Sequence, residues 1–309
     1  MTTIPPAGVH GGDGALVARA LGAAPEKVLD LSQSLNPVAS DPGPVVSAHL
    51  GAIGRYPDPA PAHGALAATM GVNPDRLLLT NGGAEAISLV AAELGGSVVE
   101  PEFSLHPRGD GPLWRSDPHN PTGLLARPED VAAVWDEAFF PMATGRWTRG
   151  DDEAVVVGSL TKLLACPGLR IGYVLAEPAL VDACRARQPE WSVNGLAAAA
   201  LPDLLAGIDL ENTRSAVEEL RSQLRSLLEG HGLTVLPSEA NWVLVGHPDL
   251  RQLLAPEAVV VRSCASFGLP ELTRIAVPDA VGLGRLDRAL GKVLGRDVPS
   301  TCPEDRTIR

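Results

Sequence analysis

Lysine is scarce in this sequence: only three of its 25 basic residues are lysines, Lys27, Lys162 and Lys292. Chemistry that needs a primary amine therefore has few addresses. Aromatic residues make up 4% of the 309, and the four cysteines, Cys166, Cys184, Cys264 and Cys302, lie far apart. They form no C-x-x-C pair and no His-paired metal spacing. That argues against a zinc site or a disulfide framework and for reduced thiols in a cytoplasmic protein. Positive charge is also short, with a formal net charge of −12. A nucleic-acid backbone or an anionic membrane surface demands a basic face, so neither is an expected partner. Charge, Gly or Pro breaks every apolar run well before it reaches a membrane span. The first residues carry neither a basic n-region nor an apolar core, and no secretory signal is expected.

What is present alternates between strand and helix patterns. Apolar runs of strand length at 76–80, 97–100, 154–158 and 170–176 are separated by helix-like segments, such as 84–94 after Gly82 and Gly83. This predicts an α/β fold with a mostly parallel central sheet, whose ligands gather at the carboxyl ends of the strands. A second region begins near 205. Residues 212–229 place Val217, Leu220, Leu224, Leu227 and Leu228 on one helix face, stopped by Gly230 and Gly232. Strand candidates 234–236, 241–245, 259–262 and 273–277 follow, with helices at 249–254 and 281–294. The expected division is a large domain over 36–204 and a small α/β domain from 1–35 with 205–294. A flexible polar tail, 295–309, completes the chain.

The chemistry concentrates around Lys162. Ser159 and Thr161 precede it, and Arg170 opens the next apolar strand eight residues later. A surface lysine near a strand-edge arginine is the ordinary reading of such a pair. Here the lysine sits among Leu160, Leu163 and Leu164, and desolvation there favours a neutral, nucleophilic amine able to form a Schiff base. Ser159, Thr161 and Arg170 supply hydroxyl and guanidinium donors for a phosphate. Around Thr80, Asn81, Gly82, Gly83 and Ala84 a strand ends and a helix starts, and helix N-terminal amides bind phosphate without a basic side chain. Asp136 follows the apolar residues 132–135, which places it at a strand end. A buried carboxylate there needs a cationic partner, and a protonated ring nitrogen serves. Ser159 and Lys162 also match the S-x-x-K run of serine β-lactam-type enzymes, with Ser192, Val193 and Asn194 as a second motif. Those enzymes need a later K-T-G-like run, which Lys292 between Gly291 and Val293 does not provide.

Together, Ser159, Thr161 and Lys162 with Arg170, the run Asn120, Pro121, Thr122, Gly123, and the run Asp136, Glu137, Ala138, Phe139 resemble a known group. They are similar to the fold-type I pyridoxal-phosphate enzymes of the class I/II aminotransferase superfamily, in order from about His10 to Pro278. Within it the chain is most similar to the cobalamin-pathway threonine-phosphate decarboxylases and their relatives, the histidinol-phosphate aminotransferases. The decarboxylase-like features are His10 to Gly12, Gln188 to Asn194 and Val261 to Leu269.

The resemblance implies a large domain with a mostly parallel central sheet, a small α/β domain, and pyridoxal 5'-phosphate as cofactor. Lys162 would carry it as a Schiff base and then shuttle protons. Asp136 would keep the pyridine nitrogen protonated, Asn120 would hydrogen-bond the phenolic oxygen, and Phe103 would stack on the ring. The backbone amides of Gly83 and Ala84, with Ser159 and Arg170, would take the phosphate. Tyr56 would reach a neighbouring subunit's cofactor, which implies a homodimer. Arg274 would clamp the substrate carboxylate, with Ser34 and Asn194 also binding substrate. The implied activity acts on a small, phosphorylated amino acid, first of all decarboxylation of L-threonine O-3-phosphate to (R)-1-amino-2-propanol phosphate. The alternatives are a transaminase of the histidinol-phosphate type and a degenerate fold-type I domain that binds without turnover.

Two departures bear on the fold. Ser34 stands where relatives usually carry Asn, and Phe139 where many aminotransferases carry Tyr. Moreover, Phe103 and Asn120 are 17 positions apart, and Asn120 and Asp136 are 16 apart. Relatives usually fit a helix and a strand in the first interval and a helix in the second, so a trimmed sheet is expected between 103 and 136.

Overall fold

Short aliphatic runs build the central sheet, because branched side chains fill a pleated surface that is buried on both faces. The computed structural model describes residues 3–149 and 154–295. Its strands run, in chain order, β1 (Leu29–Asp30), β2 (Leu77–Thr80), β3 (Ser97–Val98), β4 (Leu113–Ser116), β5 (Val134–Asp136) and β6 (Val155–Ser159). They continue with β7 (Gly172–Leu175), β8 (Trp242–Val245), β9 (Val259–Val260), β10 (Arg262–Ser263) and β11 (Thr273–Ala276). Two units divide the chain. The larger comprises Leu35–Asn120 and Leu124–Val217; the smaller comprises Met1–Ser34, Pro121–Gly123 and Glu218–Arg309.

The larger unit holds a six-stranded sheet in the order β2-β7-β6-β5-β4-β3. Its neighbours from β3 to β6 pair in parallel, and β7 runs antiparallel to both β2 and β6. The period-two alternation of strands sorts side chains to opposite faces. Leu77, Leu79, Val156, Tyr173 and Leu175 pack with Leu66 and Leu201 of the helices Ala60–Met70 and Gly195–Ala206. Leu78, Val157, Val174, Trp114 and Val134 pack with Ile87, Val90 and Val181 of the helices Gly82–Leu94 and Pro178–Arg187. Each fully buried leucine here is worth about 2 kcal/mol.

Between Phe103 and Asp136 neither connection holds a helix, and β4 stands between them as part of the continuous sheet. Arginines hold the two bare connections. The Arg108 guanidinium donates to the carbonyls of Glu102 at 3.1 Å, Phe103 and Ser104 at 3.2 Å and His106 at 2.8 Å. Its Nε donates to Glu100 at 2.6 Å, and that hydrogen bond holds the Glu100 carboxyl below its usual range. Carbonyls that a helix would satisfy internally thus converge on one fork of donors. In the second connection Arg115 grips Asp130 with two bonds of 2.8 and 3.0 Å. Arg149 lies 3.5 Å from the Trp135 ring centre and donates to Glu137 at 3.1 Å and Asp117 at 2.5 Å.

The smaller unit carries an antiparallel sheet, β10-β11-β8, and a parallel pair, β1-β9. Its core gathers Leu31, Val243, Val245, Ile275, Leu224 and Leu228 with Leu286 and Leu290 of the helix Ala280–Leu294. The sequence segment 259–262 is not one strand. Val259 and Val260 pair with β1, whereas Arg262 and Ser263 pair with β11. Segment 234–236 reduces to a single bridge between Val235 and Val245. Ser34 sits at φ +52° with its Oγ buried and unpartnered, and its carbonyl accepts from Asn241 Nδ2 at 2.7 Å. Asn adopts that left-handed conformation more readily than Ser, a backbone reason to expect Asn at this position. Among the described residues no helix is long and apolar enough to cross a membrane. The tail from 296 and Cys302 lie outside the described residues.

Candidate active site

An anion cup forms where three strand ends meet a helix start. β2 ends at Thr80 and the helix Gly82–Leu94 begins two residues later, with Gly83 and Ala84 in its first turn. Gly82 has φ +74°, and a Cβ there would lie 2.5 Å from Arg170 Nη2, so the guanidinium rests directly on the helix start. A Cβ on Gly83 would approach the Ser159 Cβ to 3.2 Å. Gly172 is glycine by necessity as well: a Cβ there would stand 2.5 Å from the Gly82 carbonyl carbon and 2.6 Å from the Gly83 nitrogen. Helix N–H groups, a hydroxyl at the end of β6 and a guanidinium therefore converge, a combination that attracts a phosphate. Arg170 (φ +54°) and Ala165 (φ +48°) hold left-handed backbone conformations, strain placed on the loop that delivers the guanidinium. Glu85 fixes the first helical turn from below. Its Oε2 accepts from Asn81 N at 2.7 Å, Gln188 Nε2 at 3.0 Å and Ser192 Oγ at 3.1 Å.

Lys162 is half-buried in the one-turn helix Leu160–Leu163, which follows Ser159 without a break. Asn36 braces that turn: its N–H donates to the Lys162 carbonyl at 3.0 Å and its Nδ2 to the Leu163 carbonyl at 2.9 Å. On the neighbouring strand Asp136 ends β5, opposite Ser116 and Val157 in register. Its carboxylate is buried, with Oδ1 accepting from Ala138 N at 3.0 Å and Oδ2 3.0 Å from His106 Nε2. Phe103 stands edge-on to His106, ring centres 5.6 Å apart. Asn120 is buried in the turn that follows β4. Behind Asp136, burial pushes the Glu137 carboxyl up to about 7 despite Arg149. Burial also raises the Tyr173 phenol well above its usual value, helped by the charges of Glu137 and Asp136.

The residues expected from the sequence thus fall into four sets, with Asn120 apart in the turn after β4. Gly83, Ala84, Ser159 and Arg170 form one cup next to Lys162, while Asp136 and Phe103 meet through His106. Tyr56 and Asn194 do other things here. Tyr56 is 76% exposed, and its ring lies 4.6 Å from that of Trp191. The Asn194 side-chain oxygen caps the helix Gly195–Ala206 by accepting from Ala197 N at 2.8 Å, and its Nδ2 donates to the Leu169 carbonyl at 2.6 Å. Ser34 and Arg274 belong to the smaller unit. There Arg274 is buried on β11, its guanidinium 4.9 Å from the Trp242 ring centre. Across the strand pair its register partner is Arg262, which donates to the Val9 carbonyl at 2.9 Å. Burial lowers Arg262 to about 10, and burial and then the adjacent Arg262 lower Arg274 further. Two neighbouring buried cations favour an anionic partner.

Sequence reasoning did not single out His106, Asn36 or Arg262. His106 lies three residues after Phe103 in one tight turn, a spacing that hints at a shared site only when the turn is known. Arg262 stood within the run Val261 to Leu269, unremarked until its pairing with Arg274 was visible.

The profile of the aminotransferase class I and II family matches residues 113–293. The chain belongs to that family. It is 29% identical to histidinol-phosphate aminotransferase 1 of Dechloromonas aromatica, over 90% of this chain and 93% of that one. It is 30% identical to the threonine-phosphate decarboxylase of Salmonella typhimurium, over 94% of this chain and 98% of that one. These alignments span 342 and 359 residues, more than the 309 of this chain, so both relatives carry segments that it lacks. In fold it is similar to the histidinol-phosphate aminotransferase of Clostridium acetobutylicum. The TM-score is 0.77 at 21% identity, over 87% of this chain and 99% of that one.

Proposed function

We propose that this chain is a pyridoxal-phosphate enzyme that decarboxylates a small phosphorylated amino acid, L-threonine O-3-phosphate. The cup carries the cofactor assignment. Gly172 leaves no room for a Cβ against the backbone of Gly82 and Gly83, and Gly82 lies against the Arg170 guanidinium, so donors for one phosphate are packed together. A half-buried lysine one turn away and a buried carboxylate at the next strand end fit the aldehyde and the ring nitrogen of the same molecule. When bound, pyridoxal phosphate supplies an electron sink for the pair left at the substrate Cα.

The protein's own groups do the rest. Gly83, Ala84, Ser159 and Arg170 hold the phosphate, Asp136 pairs with the protonated ring nitrogen, Asn120 bonds the phenolic oxygen, and Phe103 covers the ring. Lys162 Nζ would hold the cofactor by its aldehyde and would return a proton to the substrate Cα once the carboxylate has left as CO2. Arg274 takes the substrate carboxylate and Arg262 its phosphate; two adjacent guanidiniums suit a substrate with two anionic groups. Ser34 remains assigned to substrate. Asn194 is reassigned to capping, since its amide oxygen and nitrogen both serve the backbone. Exposed Tyr56 serves the cofactor phosphate of a second copy in a homodimer.

The test is direct. The purified protein mixed with pyridoxal phosphate gains the visible absorbance of a lysine-bound cofactor, and Lys162→Ala loses both that absorbance and at least about a thousandfold in turnover. Absence of the band in the unsubstituted protein overturns the assignment. Threonine phosphate should release CO2 with no added keto acid. Conversion that depends on a keto acid instead establishes a transaminase of the histidinol-phosphate type.

A further inference from the structure

Residues 5–12 form an N-terminal arm of the smaller unit in which no residue is fully buried. Pro6 to His10 and Gly12 are exposed, Val9 to 55%. Apolar burial holds such a stretch weakly, so bonds to its backbone must fix it. A buried guanidinium supplies them. Arg251, on the short helix Leu250–Leu254, is 0% exposed. It donates to the Pro5 carbonyl at 2.9 Å, the Pro6 carbonyl at 3.3 Å and Asp13 Oδ2 at 3.1 Å. The same Asp13 oxygen accepts from Gly8 N at 2.9 Å, so one ion pair gathers both ends of the arm. Gly11 (φ +73°) and Gly12 (φ +83°) then turn the chain onto Ser32, whose Oγ accepts from Gly12 N at 2.7 Å. A Cβ on Gly11 would lie 2.5 Å from the Ser32 carbonyl oxygen. Between these anchors the Val9 carbonyl accepts from Arg262 Nη2 at 2.9 Å.

Resting on the assignment of Arg262 to the substrate phosphate, we propose that Arg251, paired with Asp13, is a positioning residue for substrate selection. It pins the arm whose Val9 carbonyl orients the Arg262 guanidinium, and it thereby favours substrates that carry a second anion. Arg262 is 4% exposed and lies 4.5 Å from the Phe267 ring centre, and its Nε is buried with no hydrogen-bond partner. Arg274 stands beside it across the strand pair and repels it. A carbonyl held at a fixed place counters that repulsion at Nη2 and leaves Nε for the anion. A guanidinium that is already ordered loses less side-chain entropy when the phosphate arrives.

A pair of ligands that differ only in the phosphate separates this role from packing. L-threonine O-3-phosphate is the substrate, and unphosphorylated L-threonine is its competitor. In Arg251→Met the KM for threonine phosphate should rise about tenfold with kcat within about twofold, while the inhibition constant of threonine moves by no more than about twofold. Arg251→Lys keeps a cation for Asp13 and should recover the KM to within about threefold. Gly8→Val reaches the same ion pair from an exposed position, because a Cβ there would stand 2.6 Å from Asp13 Oδ1. It should raise the KM about threefold, and it tests the proposal even where Arg251→Met does not fold. Amide hydrogen exchange of residues 8–12 should quicken at least about fivefold in both variants, a readout independent of turnover. Equal losses for both ligands, or a freed arm with an unchanged KM, overturn the positioning role. If the unsubstituted protein does not turn over threonine phosphate, or binds threonine as tightly, the substrate assignment falls and this inference with it.

Discussion

The two halves of the six-stranded sheet hold their functional groups by different means. On the β2, β7 and β6 side, side chains are removed. Gly82, Gly158 and Gly172 let backbone, guanidinium and the Tyr173 ring approach to distances that a Cβ would forbid. On the β5, β4 and β3 side, where the connections lack helices, side chains are added. Arg108, Arg115 and Arg149 bond the carbonyls and carboxylates left in the bare loops. The cup depends on close backbone packing, which tolerates no insertion. The loops depend on charge-assisted hydrogen bonds, which replace a helix as long as every buried carboxylate keeps its partner. Groups at the strand ends are therefore held although the connections behind them lack helices.

Three changes probe that contrast. The largest effect is expected from Gly172→Val. Valine suits a strand by propensity, yet its Cβ meets the backbone of Gly82 and Gly83, which cannot yield as a side-chain tip can. A loss of about 3 kcal/mol in denaturant unfolding, with loss of pyridoxal phosphate binding, is the expected result. A neutral outcome would remove the packing argument for the cup.

Arg149→Ala comes next. It strips the cationic partner from Glu137 and Asp117, whose side chains are 0% and 4% exposed, while Arg149 itself is 20% exposed. A destabilisation of about 2 kcal/mol is expected, with the lysine-bound absorbance retained. Loss of the band at unchanged stability would mean that the arginine serves the cofactor and not the loops.

The smallest effect is a pH slope. Burial lifts the folded-state Glu137 carboxyl from 4.5 to about 7. Between those values the unfolded chain has released the proton that the folded one keeps. The contribution to stability is therefore full below about pH 4.5 and fades as pH rises through about 7. The unfolding temperature should fall by a few degrees across that window, and Glu137→Gln should flatten the slope. An unchanged slope in Glu137→Gln would assign the dependence to another group.

Much of this was legible beforehand, for identifiable reasons. Strand runs such as 76–80 and 154–158, and the lysine between Ser159 and Arg170, are contiguous signals whose meaning depends on neighbours in sequence. β4 was not singled out because Leu113, Trp114, Arg115 and Ser116 alternate over only four residues, with an arginine among them. The segment 259–262 read as one strand because its apolar pattern is unbroken, whereas two different sheets compete for its backbone. Asn194 read as a substrate ligand because a cap and a ligand use the same amide. His106, Glu102 and Arg262 escaped because each acts on a partner distant in the chain or across a strand pair.

The sequence by itself determined which groups are available: one lysine beside phosphate donors, an acid at a strand end, glycines where the backbone turns. Those are properties of residue type and short spacing. Only the tertiary structure decided that Gly172 must be glycine, that Arg274 lies beside Arg262, and that a histidine from the β3–β4 loop stands behind Asp136. Burial and distance are set by elements that pack together from far apart in the chain, and no local spacing encodes them.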